Sequence, residues 1–274
     1  MAGKSSSNAK MSYIRSNKIA AFRHTVWNYY KKSGRNELPW RKTTDPYQIL
    51  VSEVMLQQTQ VPRVIGKYNS FIKKFPNVRA LAKARLSEVL REWNGLGYNR
   101  RAKHLHDAAR MIVEERGGKF PHEYASLRAI PGIGQYTANA VRVFAFDEPE
   151  VLVETNVRTA IIHHFLPERS AIEDFDIEKI AAAAAVEQDP REWHSALFDY
   201  GSYLKSIGIR TNGKTAQYVR QSKFEGSLRQ TRGEILRQLQ SGKQPSGDAR
   251  LKAALAGLQR DGLIARTSGK WRVA

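Results

Sequence analysis

Residues 127–141 read LRAIPGIGQYTANAV, which is the end of one apolar helix, a Pro-Gly-Ile-Gly turn and the start of a second helix. Gly132 and Gly134 allow backbone with positive φ and leave the N–H groups open to a close partner. At a helix N-terminus these N–H groups and the helix dipole favour an anion such as a phosphate. Ile133 is expected to close the turn as an apolar pin. The stretch predicts a phosphate-binding helical hairpin, although a plain helix–helix turn could contain the same residues.

The overall charge supports a polyanionic partner. Lys and Arg total 45 against 26 Asp and Glu, and the resulting net charge of +19 is spread along the chain. Such an excess favours association with nucleic acid. A basic surface kept for solubility is the alternative that charge alone leaves open.

Composition excludes several classes of protein. The sequence has no cysteine, so disulfides, a Cys-ligated zinc and a thiolate-held iron–sulfur cluster are ruled out on chemical grounds. No apolar run approaches the roughly 20 residues that span a bilayer. The start, MAGKSSSNAKMSY, lacks the apolar region of a signal peptide. We expect a soluble intracellular protein located with the DNA, in the cytoplasm or nucleoid.

Helical periodicity organises most of the chain. Residues 1–18 are rich in Ser, Asn and Lys and predict a mobile basic arm. Over residues 19–214, apolar side chains recur at spacings of three and four, with breaks at Pro or Gly. No run shows sustained strand alternation. The pattern predicts an all-α domain.

The C-terminal part has a different pattern. Residues 215–227 are polar and basic without helical periodicity, which is typical of a linker. Residues 228–274 contain two helical patterns, followed by LIARTSGKWRV with a hairpin signal at Ser268-Gly269. Two helices closed by a hairpin predict a winged-helix-like module.

Several motifs resemble one family in the order that the family uses. They are LPWR (38–41), DPYQILVSEVMLQQTQV (45–61), GLGYNRRAKHLHDAA (95–109), GGKFP (117–121) and FDYGSYL (198–204). With the hairpin, these motifs resemble the helix-hairpin-helix (HhH-GPD) DNA glycosylases, and most closely their MutY-like, adenine-removing branch. The resemblance implies a two-lobed all-α glycosylase fold, to which this chain adds its small C-terminal module.

Glu53 is the first candidate catalytic residue. It lies on an apolar helix between Val51 and Val54, where burial would raise the pKa of its carboxyl group toward use as a general acid. Removing a base from its sugar benefits from one carboxyl group that donates a proton and a second that stays ionised beside the oxocarbenium ion. The resemblance places Glu53 at the family's catalytic Glu, which protonates the purine and handles water.

Three further residues match catalytic positions of the family. Tyr136 stands where strand-cleaving relatives carry a Schiff-base lysine, so the resemblance implies hydrolysis by water without β-lyase activity. Glu154 stands where the family has Asp, and its extra methylene moves the carboxylate by about 1.5 Å, a shift that can cost about 10²-fold in rate. Asn156 matches the Asn that contacts the nucleotide. Either the pocket suits Glu, or the enzyme is slow, altered in substrate or inactive.

Reaching a base inside a duplex requires base flipping, and another group must fill the gap. The resemblance assigns contacts with DNA to residues of the hairpin and of two other segments. These residues are Gln58, Thr59, Leu96, Tyr98, Gly132, Ile133, Gly134, Gln135 and Thr137. An apolar Leu and a stacking Tyr suit insertion into the helix, although the same residues could equally be core residues.

The sequence departs from the family in two places. Where MutY-like proteins carry four cysteines that ligate a [4Fe–4S] cluster, this chain has YLKSIGIRTNGKTAQYVRQ, with Lys205, Arg210, Lys214 and Arg220. We expect no cofactor and no metal site, with these cations keeping the phosphate contacts, although the hairpin carbonyls permit an alkali ion. The larger C-terminal domain that reads 8-oxoguanine is not found in this sequence, so the module is expected to add DNA affinity or a partner surface.

These observations predict a monomeric, monofunctional DNA glycosylase of base excision repair that acts on double-stranded DNA containing a mismatch or lesion. The expected target is adenine opposite guanine or 8-oxoguanine. A thymine or uracil mismatch glycosylase is the alternative within the class. A non-catalytic mismatch or damaged-DNA binding protein is the alternative from another class.

Overall fold

The computed structural model describes residues 3–216 and 223–274, with side chains from Asn17 onward. The chain forms two compact units: Met1–Glu37 with Arg142–Val219, and Leu38–Val141 with Arg220–Ala274. The linker predicted over residues 215–227 lies in part outside the described residues. No described helix is both long and apolar enough to cross a membrane.

The described residues are mostly helical, which confirms the all-α prediction. The helices are α1 (Gly3–Ser33), α2 (Pro46–Leu56), α3 (Val61–Lys74), α4 (Val78–Lys83), α5 (Leu86–Trp93), α6 (Arg100–Arg116), α7 (Tyr124–Arg128), α8 (Gln135–Phe146), α9 (Thr155–Phe165), α10 (Asp174–Ala185), α11 (Pro190–Ser206), α12 (Leu228–Gln240) and α13 (Leu251–Arg260). Short 3₁₀ turns span Pro39–Arg41 and Asn212–Lys214, and two strands, β1 (Ile264–Thr267) and β2 (Lys270–Val273), end the chain.

The first unit packs α1, α9, α10 and α11 around Trp193, which is fully buried. Phe22 of α1 meets the Trp193 ring edge-on, with 6.3 Å between ring centroids. Arg23 ties α1 to the end of α10 by donating to the carbonyls of Ala184 and Val186. The backbone of α1 is continuous through residue 18, so the boundary of the predicted arm does not coincide with a helix boundary.

In the second unit, α2 is buried almost all round. Its pattern PYQILVSEVML leaves no polar face, as expected for a central helix. Asp45 caps it by accepting from Tyr47 N at 2.8 Å, and Pro46 occupies the first turn, where no N–H is needed. The helices that pack on one another around α2 include α3, α5 and α6, with Phe71 and Trp93 fully buried.

The C-terminal module belongs to the same unit. Its helices α12 and α13 bury Ile235 and Leu258 against the β1–β2 hairpin. Thr267 pairs with Lys270, and both turn residues, Ser268 and Gly269, have positive φ, as a two-residue hairpin turn requires. The predicted hairpin is therefore present at the predicted dipeptide.

Candidate active site and nucleic-acid interface

Glu53 lies on the buried helix α2 and is only 9% exposed. The residues on either side of it in sequence, Ser52 and Val54, are also buried. The burial predicted for Glu53 is thus present on α2.

The chain leaves α2 through a strained turn. Gln58 has a φ of 54°, which a residue with a side chain rarely adopts, and Thr59 N donates to Leu56 O at 3.1 Å. Such conformations occur where the surroundings fix the backbone, and they cluster at functional sites. Gln58 and Thr59 are both predicted to contact DNA. They therefore lie in a turn of fixed backbone conformation, directly after the helix of Glu53.

Arg101 of α6 fixes this turn. Its guanidinium donates to the carbonyl oxygens of Val54 and Gln57 at 2.7 and 2.6 Å, and to Leu96 O at 3.3 Å. It also lies 5.4 Å from the centroid of the Trp93 ring. Burial lowers the pKa of Arg101 to about 10. One half-buried cation thus joins the end of α2 to the loop at residues 94–99.

The sequence analysis did not identify Arg101. Every residue has a backbone carbonyl group, so the carbonyls that Arg101 binds produce no recognisable sequence pattern. Its only signal is the second Arg of GYNRRAKHL, directly after a glycine-rich loop. The planar fork of an Arg side chain presents five N–H donors, whereas a Lys ammonium presents three.

The loop at residues 94–99 presents one predicted DNA contact and hides another. Tyr98 has a φ of 46° and is 36% exposed, whereas Leu96 is only 3% exposed. Trp93 Nε1 donates to Gly97 O at 3.1 Å and holds the loop in place. Of these two side chains, Tyr98 is therefore the one exposed to a partner, and Leu96 packs inward.

The hairpin has the geometry that its sequence predicts. Ile133 is buried, and its N–H donates to Ile130 O at 3.2 Å, which closes the turn. Gly132 has a φ of 78°, and a Cβ there would lie 2.5 Å from the Cβ of His104, so the position requires glycine. Gly134 is exposed and immediately precedes α8, and its carbonyl oxygen accepts from Ala138 N at 2.9 Å.

The remaining residues with a predicted role lie in the hairpin and at the start of α8. Gln135 is exposed at the start of α8, Tyr136 is half-buried, and Thr137 is buried with its hydroxyl 3.4 Å from Gln57 Nε2. A helix start that carries glycine in place of a capping side chain suits an external anion. Arg128 donates to Ile133 O at 2.9 Å, so this hairpin carbonyl already has a cationic partner.

In the other unit, Glu154 is the N-cap of α9. Its Oε1 accepts from Asn156 N at 2.7 Å and from Val157 N at 3.0 Å. Lys205 donates to the Thr155 hydroxyl at 2.9 Å, and burial lowers the pKa of Lys205 while Glu154 counteracts that shift. The Glu154 carboxyl group thus accepts from two amide N–H groups at the positive end of the α9 helix dipole. The longer side chain thus folds back onto the helix end.

The position of Asn156 explains why the FDYG motif has glycine at residue 201. A Cβ on Gly201 would lie 2.1 Å from Asn156 O, so only glycine lets α11 approach α9 at this point. Asp199 of the same motif is 1% exposed and accepts from Arg35 N at 2.7 Å. The motif therefore secures the packing behind Asn156.

The predicted site residues fall into two sets. Glu154 and Asn156 lie in the first unit, whereas Glu53, Tyr136 and every predicted DNA contact lie in the second. Within the second unit, the structure brings the turn after α2 and the loop at residues 94–99 together through Arg101. The hairpin joins this set where Thr137 meets Gln57.

A [4Fe–4S] cluster does not fit the segment after α11. The segment has no thiol, and backbone pairing takes its place: Ile172 N donates to Lys214 O at 2.9 Å and Ala216 N to Ile172 O at 3.1 Å. Lys214 also donates to Pro167 O, Arg210 is exposed, and Arg220 lies outside the described residues. Among the described residues, no group of His, Asp or Glu is arranged to hold a metal ion.

Known proteins are similar to this chain in sequence and in fold. A family model described as HhH-GPD superfamily base excision DNA repair protein matches residues 51–183. The chain is similar to the adenine DNA glycosylase of Mycolicibacterium smegmatis, with 35% identity over 88% of this chain and 92% of that protein. It is 31% identical to the adenine DNA glycosylase of Mycobacterium tuberculosis, over 87% of this chain and 88% of the relative.

Other relatives are longer. The adenine DNA glycosylase of Buchnera aphidicola subsp. Baizongia pistaciae is 39% identical over 53% of this chain, which spans only 41% of that protein. Among solved structures, a thermostable thymine-DNA glycosylase has a TM-score of 0.62 at 24% identity, over 73% of this chain and 93% of the other. A trapped endonuclease III–DNA intermediate has a TM-score of 0.54 at 18% identity, over 69% and 84%. These two likenesses concern the fold.

The helical fold and the hairpin define a helix-hairpin-helix protein of base excision DNA repair. Since the mycobacterial relatives match over most of their length, the chain belongs to the HhH-GPD superfamily, in its MutY-like branch of adenine DNA glycosylases.

Proposed function

We propose that this protein is a monofunctional glycosylase that flips adenine out of double-stranded DNA, where it lies opposite guanine or 8-oxoguanine, and hydrolyses the bond to its sugar. The observation that carries the proposal is the contrast between two carboxyl groups. Glu53 is buried on an apolar helix, and Glu154 is held at a helix N-terminus beside Lys205. One carboxyl is suited to protonate a leaving base and the other to stabilise a cationic sugar.

In this mechanism Glu53 protonates the purine as its bond to the sugar lengthens. Glu154 provides negative charge for the oxocarbenium ion, and water then completes the hydrolysis, activated by the Glu53 carboxylate. Asn156 contacts the nucleotide. Tyr136 has no amine with which to form a Schiff base, so the strand stays intact and an abasic site is the product.

Binding to DNA rests on the hairpin and on the exposed parts of the turn and loop. The N–H groups at the start of α8 receive a backbone phosphate, and Tyr98 stacks in the gap left by the flipped base. The protein acts as a monomer, without an iron–sulfur cluster. Iron bound in proportion to purified protein would contradict the last point.

The test is single-turnover excision from duplexes that carry A, T, U or hypoxanthine opposite G or 8-oxoguanine, with alkali to reveal abasic sites. We expect product from adenine only, and no strand cleavage before alkali. Product from thymine or uracil would reassign the substrate. Tight binding of mismatched duplex without any product would make the protein a binder.

A further inference from the structure

A concave site with a strongly basic wall lies in the unit that contains the C-terminal module. It is a cavity of about 310 Å³ between α5, the end of α12 and β2, and we call it the basic cavity. Four cationic side chains line it: Arg91 of α5, Lys243 after α12, and Lys270 and Arg272 of β2. No Asp or Glu is found among the described residues of its wall. Neither Glu53 nor the hairpin lines it, so it is distinct from the candidate active site.

The four cations have no counter-ion in the described part of the chain. All four are exposed, and none forms an ion pair with a described acidic residue. Elsewhere in this part, arginines pair with acids near them, as Arg85 does with Glu88 and Arg250 with Asp248. Positive charges that converge without a counter-ion repel one another, and an anion from outside relieves this repulsion. The basic cavity therefore has the charge of an anion-binding site.

Hydrogen bonds around the cavity hold the backbone that carries these cations. Gln244 pairs with the edge of β2, because its side-chain amide accepts from Trp271 N at 3.0 Å and donates to Trp271 O at 3.2 Å. Lys243 N donates to Gln238 O at 2.9 Å. The loop that contains Lys243 is thereby joined both to α12 and to the strand that contains Lys270. Since the site is ordered before an anion arrives, less entropy is lost on binding.

We propose that the basic cavity binds backbone phosphates of the DNA duplex beyond the gap left by the flipped base. Gln240, at the end of α12, lines both this cavity and the cavity beside Tyr98, so the two lie side by side. Since Tyr98 is the residue expected at the gap, the basic cavity meets the duplex further along its axis. An array of four cations suits a duplex, which carries one negative charge per ~1.7 Å of helix axis.

Such contacts position the protein on DNA irrespective of base sequence, because lysine and arginine bind phosphate oxygens and not base edges. The wall includes α5 as well as the C-terminal module, so both parts of this unit would hold the same stretch of duplex. The inference rests on the proposed function, from which it takes DNA as the partner, but it does not require excision.

The test compares variants on duplexes of two lengths over a range of salt concentrations. K270M/R272M removes two cations from β2, and R91M removes one from α5. The control K252M/R260M removes two exposed cations of α13 that do not line the cavity. Each duplex carries a central tetrahydrofuran abasic analogue, which cannot be excised, and is about 10 or about 30 base pairs long, or one or three helical turns. Thermal unfolding checks that every variant folds.

On the long duplex, we expect K270M/R272M to bind about tenfold more weakly than wild type at low salt. The slope of log affinity against log salt should become shallower by about 2 for this variant and by about 1 for R91M. On the short duplex both variants should bind like wild type, because the DNA ends before it reaches the cavity. K252M/R260M should keep the wild-type slope at both lengths.

An unchanged slope on the long duplex would overturn the inference. Equal losses at both lengths would also overturn it, because the cations would then act at the gap. If inorganic phosphate raised the unfolding temperature of wild type but not of K270M/R272M, with duplex affinity unchanged, the cavity would be a site for a small anion instead. Failure to excise adenine, with the expected dependence on duplex length, would overturn only the proposed function.

Discussion

The helix that carries Glu53 and the helix end that carries Glu154 present the same carboxyl group in opposite surroundings. Glu53 lies in the middle of α2, where neighbouring side chains are buried on every face. Glu154 lies before α9, where two backbone N–H groups donate to its Oε1. Lys205 lies nearby and adds positive charge.

The difference shows how position in a helix sets the chemistry of a side chain. The middle of a helix has no spare N–H groups, so the backbone there does not stabilise the anion of a buried carboxyl group. The first turn has spare N–H groups and a favourable dipole, so an anion is stabilised there. In the proposed mechanism, one residue type therefore supplies a proton donor at one place and a negative charge at the other.

The largest effect is expected at the proton donor. E53Q keeps the shape of the side chain but removes its acid, and we expect excision to fall about 10³-fold in single-turnover kinetics. Affinity for mismatched duplex should be retained. The control is E114Q, on an exposed carboxylate of α6 that pairs with Arg110. An E53Q rate within about tenfold of wild type would refute a general acid at this position.

A smaller effect is expected at the fixed charge. E154Q removes the negative charge, and excision should fall about 10²-fold, as when one preorganised group facing a charged transition state is lost. E154D keeps a carboxyl group that can cap α9 and restores the residue that the family has here, so its rate should stay within about tenfold of wild type. The control E173Q alters the N-cap residue of α10, whose side chain makes no capping bond. If E154D were as slow as E154Q, the site would be built for Glu alone.

Arg101, which binds the carbonyl groups at the end of α2, should affect the free energy of unfolding. R101M leaves the carbonyls of Val54 and Gln57 without their charged donor, and we expect the free energy of unfolding in urea to fall by about 2 kcal/mol. The matched control is R100M, at the adjacent side chain, which is 63% exposed. Equal stability of the two variants would show that the end of α2 holds without this cation.

The smallest effect concerns pH. Burial lowers the pKa of Lys205, so it loses its proton at lower pH than an ordinary lysine. As pH rises through that pKa, the cation near Glu154 disappears, and the excision rate should fall a few-fold. K205R stays charged at all relevant pH values and should extend the plateau to higher pH. Parallel pH–rate profiles for wild type and K205R would exclude Lys205 as the source of the alkaline limb.

Local sequence patterns predicted much of the fold. The hairpin at residues 127–141 was predictable because Pro-Gly-Ile-Gly restricts the backbone wherever it occurs, and the turn at Ser268-Gly269 was predictable for the same reason. Burial of Glu53 followed from an apolar pattern on every face of its helix. The continuation of α1 through residue 18 was not predicted, because a polar composition does not by itself stop a helix that is anchored further along.

The sequence by itself determined the helical class, the hairpin, the burial of Glu53 and the absence of thiols for a cluster. These depend on residue type and on spacings of a few positions, which the chain carries locally. Only the tertiary structure decided that Arg101 joins α2 to the loop at residues 94–99, that Leu96 packs inward while Tyr98 is exposed, and that α12 lines a cavity beside Tyr98. Such contacts join residues far apart in sequence, so their energies depend on packing that no local pattern encodes.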